Sequence, residues 1–140
     1  MNKKFIKPID ETSIEEMNIG IALFMGGKIE EVEPFPYRGK CIPCFFFDNK
    51  TDNPFPFHSL RYDSDWNWLM DVVEKIKSLQ GEDGRGKVNY VVIIENEYVV
   101  ISLGGEQEIV QMQADDDEKQ IHLVHRAVYD FITWYNLGQI

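Results

Sequence analysis

The spacing of apolar residues changes period in the middle of this chain, and that change limits it to a fold mixing helices with an antiparallel sheet. Trp66, Leu69, Val72, Val73, Ile76 and Leu79 recur every three or four positions, behind the capping oxygens of Asp63-Ser64-Asp65 and ahead of Gly81. From Lys87 onward the period is two. Val88 to Ile94 and Tyr98 to Leu103 are β-branched and aromatic, and Glu95-Asn96-Glu97 between them is too short to join anything but antiparallel neighbours. Gly104-Gly105 then turns the chain into Glu108 to Gln113, where Val110 and Met112 alternate with glutamines as on a half-exposed strand. Tyr90, Val92 and Ile94 oppose Val91 and Ile93, so the first strand is expected in a sheet covered on one side and partly on the other.

Two further helices flank this region. Ser13 and Glu16 form a capping box ahead of Ile14, Met17, Ile21, Phe24 and Met25, and Gly26-Gly27 supplies a stop. Gly20 within that run, with Ile19 and Leu23 on its opposite face, leaves a strand reading open. Asp115-Asp116-Asp117-Glu118 stands where the last helix begins, and carboxylates there suit the positive end of a helix dipole. Ile121, Val124, Val128, Phe131, Ile132 and Tyr135 form its buried stripe, up to Asn136–Gly138. The expected fold class is therefore α+β: a three-stranded antiparallel meander, with one short edge strand near Cys44 to Phe47, packed by two or three helices. A chain of 140 residues buries roughly two-thirds of its surface on folding, which fits one globular domain over residues 1–140.

Charge excludes some partners. Fourteen Lys+Arg against twenty-four Asp+Glu give a formal charge of −10, the wrong sign for gripping phosphates, so direct nucleic-acid binding is not expected. The longest apolar stretches, such as Tyr90 to Ile94, fall far short of the ~20 residues that cross a membrane. Met1 to Asp10 has lysines but no apolar run behind them, so a cytoplasmic setting is expected.

The stretch between Gly27 and Ser59 holds five of the six prolines. It spells Pro-Phe-Pro-aromatic twice, at Pro34 to Tyr37 and at Pro54 to Phe57. Alternating proline fixes extended backbone that can lie across a surface with its aromatics turned down. Two readings follow for Phe35, Tyr37, Phe55, Phe57 and the adjoining His58: aromatic pins in the core, or a partner-binding patch.

Trp66-Asn67-Trp68-Leu69-Met70 with Val72-Val73-Glu74-Lys75-Ile76, Ile21-Ala22 with Phe24-Met25-Gly26, and Ala127-Val128-Tyr129 with Phe131-Ile132 and Trp134-Tyr135-Asn136 carry a resemblance. The chain resembles a group of small uncharacterised proteins encoded by bacteriophages and prophages. Members usually have Asp between the tryptophans and Pro after the Met, where this chain has Asn67 and Asp71. The resemblance implies a mobile-element origin and a cytoplasmic setting. It carries no activity, cofactor or catalytic residue.

Groups that could do chemistry are few. Cys41-Ile42-Pro43-Cys44 has the spacing of a redox pair, but it is followed by Phe45-Phe46-Phe47 and a turn, where a redox pair opens a helix. The same two thiols, with His122 and His125 three apart on a helix, could form a tetrahedral zinc site; the competing reading is two buried or half-buried free cysteines. His58 near Asp63 and Asp65 could serve as an acid/base pair. No nucleophile elbow is present, and Gly81 to Gly86 follows a helix and carries two acids, unlike a phosphate-cradling loop.

Two function classes remain. The first is a non-enzymatic interaction module that binds a viral or host protein and needs no cofactor. It uses the proline-aromatic segment or an acidic face, with DNA mimicry as a subtype if the carboxylates cluster. The second is a small metal-dependent or hydrolytic enzyme using His58, Cys41, Cys44, His122 and His125.

Overall fold

The computed structural model describes residues 13–32 and 41–138. The chain forms two compact units, Met1–Arg61 and Tyr62–Ile140. Among the described residues, three α-helices and two antiparallel sheets, of three and four strands, give the α+β fold expected from the change of period.

The first unit opens with helix α1, Ile14–Phe24, whose N-cap Ser13 accepts a hydrogen bond from the Glu16 amide at 3.1 Å. Its buried face is Met17, Asn18, Ile21 and Ala22, and Ile14 is exposed, which corrects the stripe read from spacing. The cause is position: Ile14 is the first helical residue, where the chain has yet to meet its core. Gly26, at φ +88°, takes the left-handed conformation that ends the helix.

Strands β1 (Lys28–Val32), β2 (Ile42–Phe46) and β3 (Phe55–Pro56) form an antiparallel sheet in the order β1-β2-β3. The strand expected near Cys44 to Phe47 is thus present, but as the centre of its own sheet and not as an edge of the meander. β1 reads Lys-Ile-Glu-Glu-Val and β3 is two residues long, so neither carries the alternation that announces a strand. Phe47 and Asn53 close the intervening turn: the Phe47 amide donates to Asn53 Oδ1 at 2.9 Å, and Asn53 Nδ2 donates back to the Phe47 carbonyl at 2.7 Å.

The second unit is a helix-covered sheet. Helix α2, Trp66–Ser78, is capped by Asp65, whose side chain accepts from the Asn67 amide at 2.8 Å. It leads directly into a short strand β4, Gln80–Glu82, and then the meander β5 (Lys87–Ile94), β6 (Tyr98–Leu103) and β7 (Gln107–Gln113). The order is β4-β5-β6-β7, so β4 is the fourth strand that the glycine-rich sequence had concealed. Helix α3, Gln120–Gly138, packs on β6 and β7, and α2 packs on β5.

Register explains which residues fill the core. The cross-strand rows Val92–Ile101–Val110 and Ile94–Val99–Met112 share one face with Tyr90 and Leu103. Tyr90 meets Phe131 of α3 edge-on at 5.0 Å between ring centres, which identifies this as the helix-covered face. Leu69, Val72, Val73 and Ile76 of α2 and Leu123, Val124, Val128 and Phe131 of α3 are all buried there. Trp66, placed in the α2 stripe by spacing, is exposed; Trp68 is the buried tryptophan, edge-on to Tyr62 at 5.0 Å.

Candidate functional site

The residues expected to do chemistry are dispersed in environment. Phe55 is buried against Phe47, with ring centres 5.8 Å apart, and Phe57 is half-buried against Phe45 at 5.2 Å. These two therefore sit in the aromatic core of the first unit, while His58, on the single helical turn Phe57–Ser59, is exposed. Phe35 and Tyr37 lie outside the described residues. Cys41 is exposed and Cys44, on the central strand β2, is buried, and that burial pushes its thiol pKa up, with the Glu31 charge adding to the shift. Both are free thiols.

On α3, His122 is exposed and His125 is buried. Burial lowers the His125 pKa to about 4, opposed by the Asp63 carboxylate and reinforced by His122, so its imidazole is neutral at pH 7. Among the described residues no group of three or more His, Cys, Asp or Glu side chains is arranged to hold a metal ion. Nor is any described helix long and apolar enough to cross a membrane.

Two features of the second unit stand out instead. The first is the sheet face opposite the helices. Its cross-strand rows are Ile93–Val100–Gln111 and Val91–Ser102–Glu108, with Tyr98–Gln113 at the end. Val91, Ile93 and Tyr98 keep 37%, 43% and 40% of their surface in solvent while Ser102 beside them is buried and Val100 half-buried, so this face is partly covered, as its strand pattern suggested. A β-branched pair and a tyrosine side by side at that exposure form an apolar patch with a polar border of glutamines and Glu108.

The second feature is the acidic loop between β7 and α3. Within it Glu118 accepts two hydrogen bonds from the Arg126 guanidinium, Nε to Oε2 and Nη2 to Oε1, both at 2.7 Å, and its Oε1 caps the Asp115 amide at 2.9 Å. Arg126 Nη2 also donates to the Gln113 carbonyl at 3.2 Å and lies 3.8 Å from Asp115 Oδ2. The guanidinium bonds hold the Glu118 carboxyl below the usual carboxylate range. Glu118 thus anchors the loop to α3, while Asp116 and Asp117 are left exposed beside Glu97 of the β5–β6 turn. The run lies in the turn ahead of α3, whose first turn holds no acidic residue, so these carboxylates precede the helix and do not form its first turn.

The sequence marked one face of the meander as only partly covered, but alternation alone cannot say that both helices meet the other side. One signal was present: Gln111 and Gln113 are the cross-strand partners of Val100 and Tyr98, and glutamines in a row mark a solvent face. Compared with protein-family models, with curated proteins and with solved structures, the chain matches none.

Proposed function

We propose that this protein is a non-enzymatic interaction module whose contact surface is the open face of the meander, centred on Val91, Ile93 and Tyr98. One observation carries the reading: α2 and α3 both pack on the same side of the sheet, and the other side keeps large apolar side chains in water. An exposed apolar patch with a polar border is the ordinary composition of a protein-binding surface. The likeness of the tryptophan and Phe-Ile-x-Trp-Tyr-Asn segments to phage and prophage proteins points to a viral or host protein as the partner.

The test is a Val91→Thr/Ile93→Thr variant, which keeps β-branched residues in β5 while removing apolar surface. Its melting temperature should match that of the unmodified chain, because exposed positions contribute within about half a kcal/mol. A protein that the unmodified chain retains from host extract should be lost by the variant. Retention by both would remove the open face as the contact surface.

A further inference from the structure

We propose that the open sheet face and the acidic loop beside it form one continuous groove for an extended protein segment with an apolar stretch next to a lysine- or arginine-rich one. This inference rests on the reading of the open face as a contact surface and adds the chemistry of what lies on it. A concavity of about 420 Å³ runs over Ile93 and Val100, and a second of about 520 Å³ is bordered by Glu97, Asp115, Asp116 and Asp117. Tyr98 and Gln113 line both, so the two concavities adjoin, and the floor of the first sets Ile93, Tyr98 and Val100 among Ser102, Glu108 and Gln111.

Charge selects the occupant. Arg126 lies beside the loop, but Glu118 holds it in a bidentate pair. Among the described residues no cation pairs with Glu97, Asp116 or Asp117, so this end keeps its negative field. A second copy of a chain with formal charge −10 would bring like charge to that field, whereas a basic segment would be drawn in and oriented by it. The apolar floor then supplies the contact area that salt cannot screen.

The probe is a short fluorescently labelled peptide with valine, leucine and threonine in one half and lysines in the other, titrated by anisotropy against the full chain. Binding should weaken at least tenfold between roughly 50 and 500 mM salt, as expected for exposed charge pairs. Asp116→Asn/Asp117→Asn should lower affinity about fivefold or more. Asn tolerates the φ of +62° at position 117, so that variant should fold, and an unchanged melting temperature would establish it. Glu30→Gln/Glu31→Gln removes the same net charge from exposed positions on β1 and should leave affinity unaltered. A peptide with glutamate for lysine should not bind.

Equal losses from the two double variants would reduce the attraction to net charge alone and overturn the groove. Equal binding of the lysine and glutamate peptides would overturn the basic partner. If Val91→Thr/Ile93→Thr still abolishes capture of a natural partner in either case, the open face stands as a contact surface and only its basic occupant is lost. If neither pair of positions affects any binding, both readings fall together.

Discussion

His125 and Arg126 are adjacent on α3 and make opposite uses of charge. The His125 imidazole is buried and kept neutral, while the Arg126 guanidinium stays charged in a bidentate pair with Glu118. Each gives a separate pH dependence. An unfolded histidine gains its proton near pH 6.5, but the folded one resists until about pH 4, so between those values the unfolded state binds more protons. Stability should therefore fall as pH drops through that window, by up to about 3 kcal/mol, and level off below it. His125→Gln should flatten this slope in denaturant titrations. Glu118 behaves in the acid range: its folded pKa is depressed below 4.5, so its contribution is complete above the unfolded value and is lost as pH falls through the folded one. Arg126→Met should reduce stability at pH 7 by about 1.5–3 kcal/mol. The difference from the unmodified protein should shrink below pH 4.5, and a constant gap at all pH values would show that the pair acts only through packing.

Single elements succeed or fail on how closely they approach one another. Gly27, between α1 and β1, shows the limit: a Cβ added there would lie 2.7 Å from Phe45 Cδ1, 2.8 Å from Phe47 Cε1 and 3.0 Å from the Ala22 carbonyl oxygen. Gly27→Ala should cost about 1–3 kcal/mol by overpacking, read from the denaturation midpoint, because the two rings are themselves buried or nearly so. In the second unit Val73→Ala should cost about 2–4 kcal/mol through the cavity left under α2. These elements differ in how plainly their sequences announce them. α2, β5, β6, β7 and α3 are long enough to repeat their period, and cap and turn residues confirm their ends, so their presence follows from local chemistry. β4 pairs with β5 across a short turn but is three residues long with Gly81 at its centre, while β1 and β3 are held by partners ten or more residues away: β3 has only Cys44–Pro56 and Phe45–Phe55 pairs to define it. Nothing within two or three residues can record such a pairing. The candidate site follows the same division. The acidity of residues 115–118 is written in the chain, but the exposure of Val91 and Ile93 depends on α2 and α3 choosing the same face of the sheet, which is a tertiary event.

At the scale of the whole molecule, the second unit contains a complete core of its own. Tyr62–Ile140 holds both long helices and the four-stranded sheet, and most of the largest fully buried side chains, among them Tyr62, Leu69, Ile76, Ile101, Leu123, Phe131 and Ile132, lie within it, with Ile21 and Phe45 in the first unit. Each of its described strand pairs is between neighbours in sequence, joined by a short turn, which keeps loop-closure entropy low. Chains of this length sit at the edge of what one core can hold without a disulfide or metal, so independence is a quantitative matter. Two aromatic groups favour it: Tyr90 packs on Phe131, with Trp134 and Tyr135 beside them, and Tyr62 packs on Trp68. The segment Tyr62–Ile140, expressed alone, should show helical and strand circular dichroism and a single cooperative thermal transition. It should also retain the open face and acidic loop, and so bind the lysine-rich peptide with the affinity of the full chain. A broad, non-cooperative melt would mean that the 140 residues fold as one domain and that the first unit is required for the core of the second.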